Sequence, residues 1–270
     1  MHFTKMQGLG NDYIYVNGMQ EKIKDPRTLA IRLSNRHFGI GADGLIVIRA
    51  SKIADVQMDM YNADGSRGKM CGNGIRCVAK YVYDQGIVSK KMLRIETLSG
   101  IKETLLLSEG EVRVNMGIPK VERMREEVTH EIFGGKRVTS DCISMGNPHR
   151  IFYLHEFQKI KQMEYLELER IGPALECLGG ERHRRNVEIV NVLDRNTMEM
   201  RVWERGTGET LACGTGACAA TVSSILRNLT EREVRIKLKG GNLLVKWGED
   251  GGALYMTGPA VTVFKGDITV

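Results

Sequence analysis

Apolar and polar residues alternate with a period of two along most of the chain, which is typical of half-buried β-strands. Several of the alternating segments are joined by short connections that contain glycine, so we expect most neighbouring strands to be antiparallel. The predicted strands are 12–17, 44–50, 55–62, 92–98, 102–107, 111–117, 137–145, 150–154, 187–193, 199–205, 233–239, 242–248 and 253–258.

A few segments depart from this alternation and are predicted to be helices. They are 25–37, 75–84, 156–170 and 215–227. Asp25 suits the N-cap of the first helix and Pro26 its first turn. The third is expected to be a charged surface helix, with Gly172-Pro173 ending its first stretch. The second and fourth each follow a glycine-rich turn.

Two sequence patterns occur twice in the same order. The first pattern precedes a predicted strand each time: it is Met6-Gln7-Gly8-Leu9-Gly10-Asn11 in the first half of the chain and Ser144-Met145-Gly146-Asn147 in the second. The second pattern precedes a predicted helix each time: it is Cys71-Gly72-Asn73-Gly74 in the first half and Cys213-Gly214-Thr215-Gly216 in the second. The members of the two pairs are separated by 136 and 142 residues. Such regular spacing indicates an internal duplication. We therefore predict an α/β (α+β) fold of two pseudo-symmetric domains, each of mostly antiparallel strands around a central helix.

Composition restricts the class of function. The chain has 270 residues, 42% of them hydrophobic, and a net charge of +6, which suits a folded protein of two small domains. The basic residues are scattered and only 6% of residues are aromatic, so we expect no nucleic-acid partner. No apolar run approaches the ~20 residues of a membrane helix, and the opening residues lack the apolar region of a signal peptide. We therefore expect a cytoplasmic protein with no membrane partner.

Candidate chemistry lies at the two Cys-Gly-x-Gly turns. The first backbone N–H groups of a helix are unpaired and carry partial positive charge, which holds an anion and lowers the pKa of a cysteine placed there. If the two domains face one another, Cys71 and Cys213 face one another as well. Two such groups on opposite sides of one carbon suit inversion of a stereocentre: one thiolate removes the α-proton and the opposite thiol supplies another.

Other motifs fail on their context. Residues 39–44 fit GxGxxG but follow a helix and precede a strand, the reverse of a dinucleotide-binding turn. No phosphate-binding loop or zinc spacing occurs, so we expect no cofactor and no metal. Cys77, Cys142, Cys177 and Cys218 are expected to be structural. Asn62 and the four residues after it have the composition of a turn.

The runs MQGLGNDYIYV, NADGS, CGNGIRC, SMGNPH, RRNVEIV, WERGTGETLACGTGAC and MTGPAVTVFKG resemble the diaminopimelate epimerase family along essentially the whole chain. The resemblance implies two α/β domains, residues 1–116 with 262–270 and residues 117–261, and an active site in the cleft between them. It also implies conversion of LL- to meso-diaminopimelate without a cofactor, in lysine and peptidoglycan precursor synthesis. By analogy alone, a homodimer is the candidate oligomeric state.

The resemblance also implies roles for particular residues. Cys71 and Cys213 match the acid/base pair, and His149 and Glu204 match residues that assist the thiols. The positions that match substrate contacts are Asn11, Asn62, Gly72, Asn73, Asn147, Asn186, Glu204, Arg205, Gly214 and Thr215. Arg205 suits the distal carboxylate because its planar guanidinium matches that group. One departure is Gly44, where some members carry a substrate-contacting Gln.

Two alternatives stay open. A racemase of another amino acid, such as histidine, would keep both cysteines but lose part of the set formed by Asn62, Asn186 and Arg205. A non-catalytic binding protein on the same scaffold would lose one or both cysteines, and both are present. A related isomerase family uses a carboxylate in place of the paired thiols, and nothing in the sequence supports that reaction.

Overall fold

The structure is a computed structural model that describes residues 1–157, 160 and 162–269. The chain forms two compact units. Unit 1 comprises Met1–Asn115 together with Thr257–Val270, and unit 2 comprises Met116–Met256.

Strands dominate both units. In chain order they are β1 (His2–Gly8), β2 (Asn11–Asn17), β3 (Gly44–Arg49), β4 (Val56–Asn62), β5 (Arg67–Gly68), β6 (Met92–Thr97), β7 (Gly100–Leu106), β8 (Glu111–Gly117), β9 (Lys120–Thr129), β10 (Arg137–Ser144), β11 (Pro148–Tyr153), β12 (Asn186–Asp194), β13 (Thr197–Glu204), β14 (Gly208–Thr210), β15 (Glu233–Leu238), β16 (Gly241–Trp247), β17 (Leu254–Pro259) and β18 (Val261–Asp267). The α-helices of the described residues are α1 (Pro26–Ser34), α2 (Gly72–Asp84), α3 (Leu168–Glu176) and α4 (Gly214–Leu226).

In unit 1 the strands are paired in the order β18, β1, β2, β3, β4, β6, β7 and β8. The pairs β2–β3 and β4–β6 are parallel, and the others are antiparallel. Helix α1 connects the first parallel pair, and α2 connects the second. Helix α2 packs against β1, β2, β6 and β7, and it buries Ile75, Val78 and Val82 completely. Burial of an aliphatic side chain of this size contributes about 1.5–3 kcal/mol.

Unit 2 repeats this topology. Its strands are paired in the order β9, β10, β11, β12, β13, β15 and β16, with parallel pairing of β11 to β12 and of β13 to β15. Helix α3 connects the first parallel pair, and α4 lies in the connection between the second. Helix α4 packs against β10, β11, β12 and β16. The predicted fold of two similar domains, each with strands around a central helix, is therefore confirmed.

The structure corrects the predicted third helix. Residues 158, 159 and 161 of the predicted segment 156–170 lie outside the described residues, and the flanking described residues form short 3₁₀ turns at Leu154–Glu156 and Met163–Tyr165. The α-helix begins only at Leu168. Pro173 lies inside it and does not end it. The helix forms here because Leu168, Ile171 and Leu175 bury one face at helical spacing.

Smaller differences concern segments with little alternation. Strands β1, β5, β9, β14 and β18 are not among the strands predicted from the alternation. β9 is mostly exposed and β5 has only two residues, so neither has a buried face to mark it. Helix α1 ends at Ser34, earlier than predicted, and Asp25 does cap it. Among the described residues, no helix is both long and apolar enough to span a membrane.

Candidate active site

Cysteine caps the central helix of each unit. Cys71 is the N-cap of α2 and its Sγ accepts a hydrogen bond from the backbone N–H of Gly74 at 3.3 Å. Cys213 is the N-cap of α4 and its Sγ accepts one from Gly216 at 3.4 Å. Both cysteines have extended backbone angles, so the two turns share one local conformation.

The third helical residue is a glycine in close contact with a strand side chain in both units. A Cβ added to Gly74 would lie 3.0 Å from Ile46 Cδ1, and one added to Gly216 would lie 2.5 Å from Glu188 Oε1. The first-turn N–H groups of a helix have no acceptors within the helix itself. The N–H groups of Gly72 and Gly214, the first helical residues, are therefore placed to hold an anion.

In unit 1 the thiol is in contact with Asn11. The Cys71 thiol donates to Asn11 Oδ1 at 3.1 Å, and Asn11 Nδ2 donates to Asp43 Oδ2 at 2.8 Å. Asp43 therefore fixes the amide so that its oxygen faces the sulfur. Arg36 donates to the other oxygen of Asp43 at 3.0 Å, which holds the carboxylate in place. We call Asn11, Asp43 and Cys71 the first thiol cluster.

Asn73 and Asn62 occupy separate positions in unit 1. Asn73 is buried in the first turn of α2, and its Oδ1 accepts from the fully buried Arg76 at 3.0 Å. Arg76 also donates to the carbonyl of Gly72 at 3.1 Å, so it supports the loop after Cys71. Asn62 ends β4, and its Nδ2 donates to Ser66 Oγ at 2.9 Å across the predicted turn.

In unit 2 a longer set of polar contacts leads to the sulfur. Cys213 Sγ lies 3.4 Å from Thr215 Oγ1, which accepts from Asn147 Nδ2 at 3.2 Å. Asn147 Oδ1 lies 3.1 Å from His149 Nε2, and His149 Nδ1 lies 2.7 Å from Glu188 Oε1. His149 and Glu188 are fully buried. We call Cys213, Thr215, Asn147, His149 and Glu188 the second thiol cluster.

Burial raises the pKa of the Cys213 thiol well above its usual range, and the negative charges of Glu204 and Glu188 raise it further. Hydrogen bonds from Thr215 and the Gly216 N–H act in the opposite direction but are weaker. The expectation that the helix terminus lowers the pKa is therefore wrong for Cys213. Burial and the charge of Glu188 also raise the pKa of the Glu204 carboxyl. Burial and these charges therefore favour the thiol over the thiolate at Cys213.

Strand pairing brings further candidate residues of unit 2 together. His149 on β11 pairs with Asn186 on β12, and Asn186 lies beside the end of β13. Glu204, the last residue of β13, accepts a hydrogen bond from Thr210 Oγ1 at 2.6 Å. Asn186 Oδ1 accepts from the backbone N–H of Arg205 at 2.9 Å. Arg205 itself is exposed. His149, Asn186 and Glu204 therefore lie together, where β11 and β12 begin and β13 ends.

Glu176 supports the turn that carries Arg205. Its side chain is buried, and it accepts from Trp203 Nε1 at 2.8 Å, from Arg184 Nε at 2.8 Å and from the N–H of Gly206 at 3.2 Å. This carboxylate therefore ties α3 to the Glu204-Arg205 segment.

Asp43, Glu188 and Glu176 contact the candidate residues or the turn that carries them, but are not among the residues predicted from the sequence. A signal existed for Glu188, because it is a charged residue inside a strand whose first five residues are all buried. Asp43 lies in the motif that was set aside as a failed dinucleotide turn. Among the described residues, no group of three or more His, Cys, Asp or Glu side chains is arranged to hold a metal ion.

Solved structures with a similar fold include a phenazine biosynthesis protein of the PhzF family from Bacillus anthracis, with a TM-score of 0.74 and 16% identity, covering 100% of this chain and 99% of that one. A hydroxyproline epimerase from Agrobacterium vitis has a TM-score of 0.73 and 13% identity, covering 99% of this chain and 90% of that one. The chain therefore has the two-domain fold found in PhzF proteins and in epimerases of the proline racemase type.

Sequence comparison defines the family within this fold class. The diaminopimelate epimerase family matches residues 3–122 and 141–263. A diaminopimelate epimerase of Acetivibrio thermocellus is 49% identical over 281 residues, 99% of this chain and 98% of the relative. Those of Parabacteroides distasonis and Methanococcus maripaludis are 48% and 46% identical, each over the full length of this chain. The chain belongs to the diaminopimelate epimerase family, a family of isomerases, and the resemblance inferred from the sequence is confirmed.

Proposed function

We propose that this protein interconverts LL-diaminopimelate and meso-diaminopimelate, with Cys71 and Cys213 as the acid/base pair. The observation that carries the proposal is the matched placement of the two cysteines, each the N-cap of the central helix of its unit. Paired thiols at anion-binding helix termini suit an α-amino acid, whose carboxylate the helix termini hold while its α-proton is exchanged.

The reaction is a balanced proton exchange at one carbon. One cysteine, as the thiolate, takes the α-proton, and the electron pair of the C–H bond remains on the α-carbon as a carbanion delocalised into the carboxylate. The other cysteine, as the thiol, then delivers its proton to the opposite face and becomes the thiolate. N–H groups at Gly72, Asn73, Gly214 and Thr215 stabilise the negative charge that develops on the carboxylate.

The distal end of diaminopimelate is a second amino-acid centre, so its recognition needs both donors and acceptors. We assign its contacts to Asn11, Asn62, Asn147, Asn186, Glu204 and Arg205. The exposed guanidinium of Arg205 suits the distal carboxylate, since two parallel N–H groups match its two oxygens. His149 and Glu204 act on the protonation of the thiols; the contact chain from His149 to Cys213 supports this role.

The wider setting is part of the proposal. The reaction needs no cofactor, and it serves lysine and peptidoglycan precursor synthesis. We place it in the cytoplasm, because two reacting thiols require a compartment that keeps them reduced. We assign residues 1–116 with 262–270, and residues 117–261, as the two epimerase domains; the similar bounds of the compact units support this division. A homodimer is the proposed state, and the exposed apolar residues Val263 and Phe264 on β18 are consistent with it.

Proton NMR in deuterated water tests the reaction directly. Reduced protein with LL-diaminopimelate and no added cofactor should remove the α-proton signal and produce the meso isomer. If the α-proton exchanges only with another amino acid, such as histidine, the two-thiol mechanism stands but the substrate is not diaminopimelate. Absence of exchange with every amino acid tested, in folded and reduced protein, would overturn the proposal in favour of a binding protein.

Single cysteine variants test the assignment. Cys71→Ala and Cys213→Ala should each lower the rate of inversion by about 10²-fold or more, the usual contribution of a positioned acid or base. Cys177→Ala is the matched control, because this thiol is half-buried at the end of α3 and has no assigned role. Wild-type inversion by either of the first two variants would exclude the two-thiol mechanism.

A further inference from the structure

Glu188 is a buried acid to which the proposed mechanism gives no role. Its side chain is fully buried on β12, and its Oε1 lies 2.7 Å from His149 Nδ1. Within the part of the chain that the structure describes, its Oε2 has no hydrogen-bond partner. The short contact with His149 Nδ1 is therefore the contact through which this buried carboxyl can share a proton.

The orientation of the Asn147 amide indicates where the proton on His149 lies. Its Nδ2 donates to Thr215 Oγ1 at 3.2 Å, which leaves Oδ1 facing His149 Nε2 at 3.1 Å. Because Oδ1 only accepts, Nε2 must carry a hydrogen. The remaining proton of the pair then lies between His149 Nδ1 and Glu188 Oε1, where either atom can hold it.

The same direction of donation continues to the sulfur. Thr215 Oγ1 accepts from Asn147, so its own hydrogen is available to Cys213 Sγ, 3.4 Å away. From His149 Nε2 onward, the hydrogen bonds of the second thiol cluster therefore run one way, through Asn147 and Thr215 to Cys213. A hydroxyl that donates to sulfur stabilises the thiolate that forms when Cys213 gives up its proton.

We propose that Glu188 is a positioning residue for the epimerisation: by sharing one proton with His149 it keeps a hydrogen on Nε2, orients the Asn147 amide and directs the Thr215 hydroxyl at Cys213. The inference rests on the proposed function for its effect on rate, but not for its effect on His149. The other acid that affects this thiol is Glu204, whose charge raises the pKa of Cys213.

Two substitutions separate the proton-sharing role from packing. Glu188→Gln has the same shape, and its amide N–H can donate to Nδ1, so Nε2 keeps its hydrogen. Glu188→Leu has similar volume but offers Nδ1 nothing. We expect the kcat of Glu188→Gln to stay within about threefold of wild type and that of Glu188→Leu to fall about tenfold or more, each with KM nearly unchanged. Thermal unfolding of both variants checks that they are folded.

Nitrogen-15 NMR of the histidine rings supplies a measurement that does not depend on activity. Wild type and Glu188→Gln should show hydrogen on Nε2 of His149, and Glu188→Leu should show a mixture of tautomers. Thr215→Val should lose more rate than Thr215→Ser, since only serine keeps the hydroxyl.

Some outcomes would overturn the inference. A hydrogen on Nδ1 alone in the wild-type protein would do so, even if Glu188→Leu fails to fold. Wild-type kcat and an unchanged pH profile in folded Glu188→Leu would also do so. If the wild-type protein leaves diaminopimelate unchanged, the proposed function fails, while the tautomer measurement still decides the role of Glu188.

Discussion

Ile46 and Glu188 occupy equivalent places in the two units. Ile46 lies against Gly74 and Glu188 lies against Gly216, each the third residue of a helix capped by a cysteine. One contact is apolar and the other is a buried carboxyl paired with His149. The duplicated scaffold therefore holds two thiols in different electrostatic surroundings. In unit 2 the charges of Glu204 and Glu188 raise the pKa of Cys213.

Removing the charge of Glu204 should make Cys213 more acidic. Burial is the main cause of its raised pKa, and the charge of Glu204 is the next. In Glu204→Gln the thiolate fraction at a given alkaline pH should rise, so a small alkylating reagent should modify Cys213 faster. Mass spectrometry of the peptide that contains Cys213, measured across pH 7–10, follows the rate. An unchanged pH profile would show that the charge of Glu204 does not act on this thiol.

Arg205→Met should weaken substrate binding. Loss of a charged hydrogen bond costs about 1.5–3 kcal/mol, which corresponds to a KM for diaminopimelate about 10–150-fold higher. Steady-state kinetics measures the effect, with Arg195→Met as the matched control because Arg195 forms an exposed ion pair with Glu231. Equal KM values in Arg205→Met and the control would show that Arg205 does not bind the distal carboxylate.

Asp12 should make the fold sensitive to acid. Burial opposes its ionisation, but hydrogen bonds from Arg36 and Lys5 outweigh burial and lower its pKa. Since the folded pKa lies below the ordinary value, ionised Asp12 stabilises the fold above about pH 4, and this contribution is lost as the pH falls through the folded pKa.

Thermal unfolding at pH 2–7 tests the role of Asp12. Asp12→Asn should lower the free energy of unfolding by about 2 kcal/mol or more at pH 7, because the buried Lys5 loses its counter-charge. Its unfolding midpoint should fall less steeply in acid than that of wild type. The exposed Asp267 offers a control, Asp267→Asn, which should follow the wild-type curve. Parallel curves for Asp12→Asn and wild type would contradict the assignment.

Gly44→Ala should destabilise unit 1. A Cβ at this position would lie 2.1 Å from the carbonyl oxygen of Tyr61 and 2.7 Å from the ring of Tyr13. Backbone must shift to admit it, at a cost of about 2 kcal/mol or more. Urea unfolding measures the change, and wild-type stability would show that β3 and β4 separate readily at Gly44.

The fold could be predicted from the sequence wherever one strand face is buried. Strands such as β6 and β8 alternate clearly between apolar and polar residues, and they were found within a residue or two. β9 could not be predicted, because most of its residues are exposed and polar on both faces. The position of α3 was predicted wrongly for two reasons. The charged residues before it are typical of a surface helix, and Pro173 within it is typical of a helix end.

The candidate site was predicted in part. The cysteine caps follow from local sequence, since a cap depends on the residues that immediately follow it. Which groups surround each thiol depends on strand register, which places Glu188 and Asp43 beside residues distant in the chain. For this reason the pKa of Cys213 is higher than its place at a helix terminus predicts: burial and two acids raise it, and the hydrogen bond from Gly216 lowers it by less.

The pairing of β1 with both β2 and β18 has a consequence for synthesis on the ribosome. Unit 2 is one continuous stretch of chain, so all its strands are available before the segment after Met256 is made. β1 pairs with β2 early, but its other edge stays open until β18 emerges. An open edge invites pairing with other chains, so chaperones that shield nascent β-edges should act on this strand longest. β1 therefore waits for β18, which follows it by more than 250 residues, to complete its pairing.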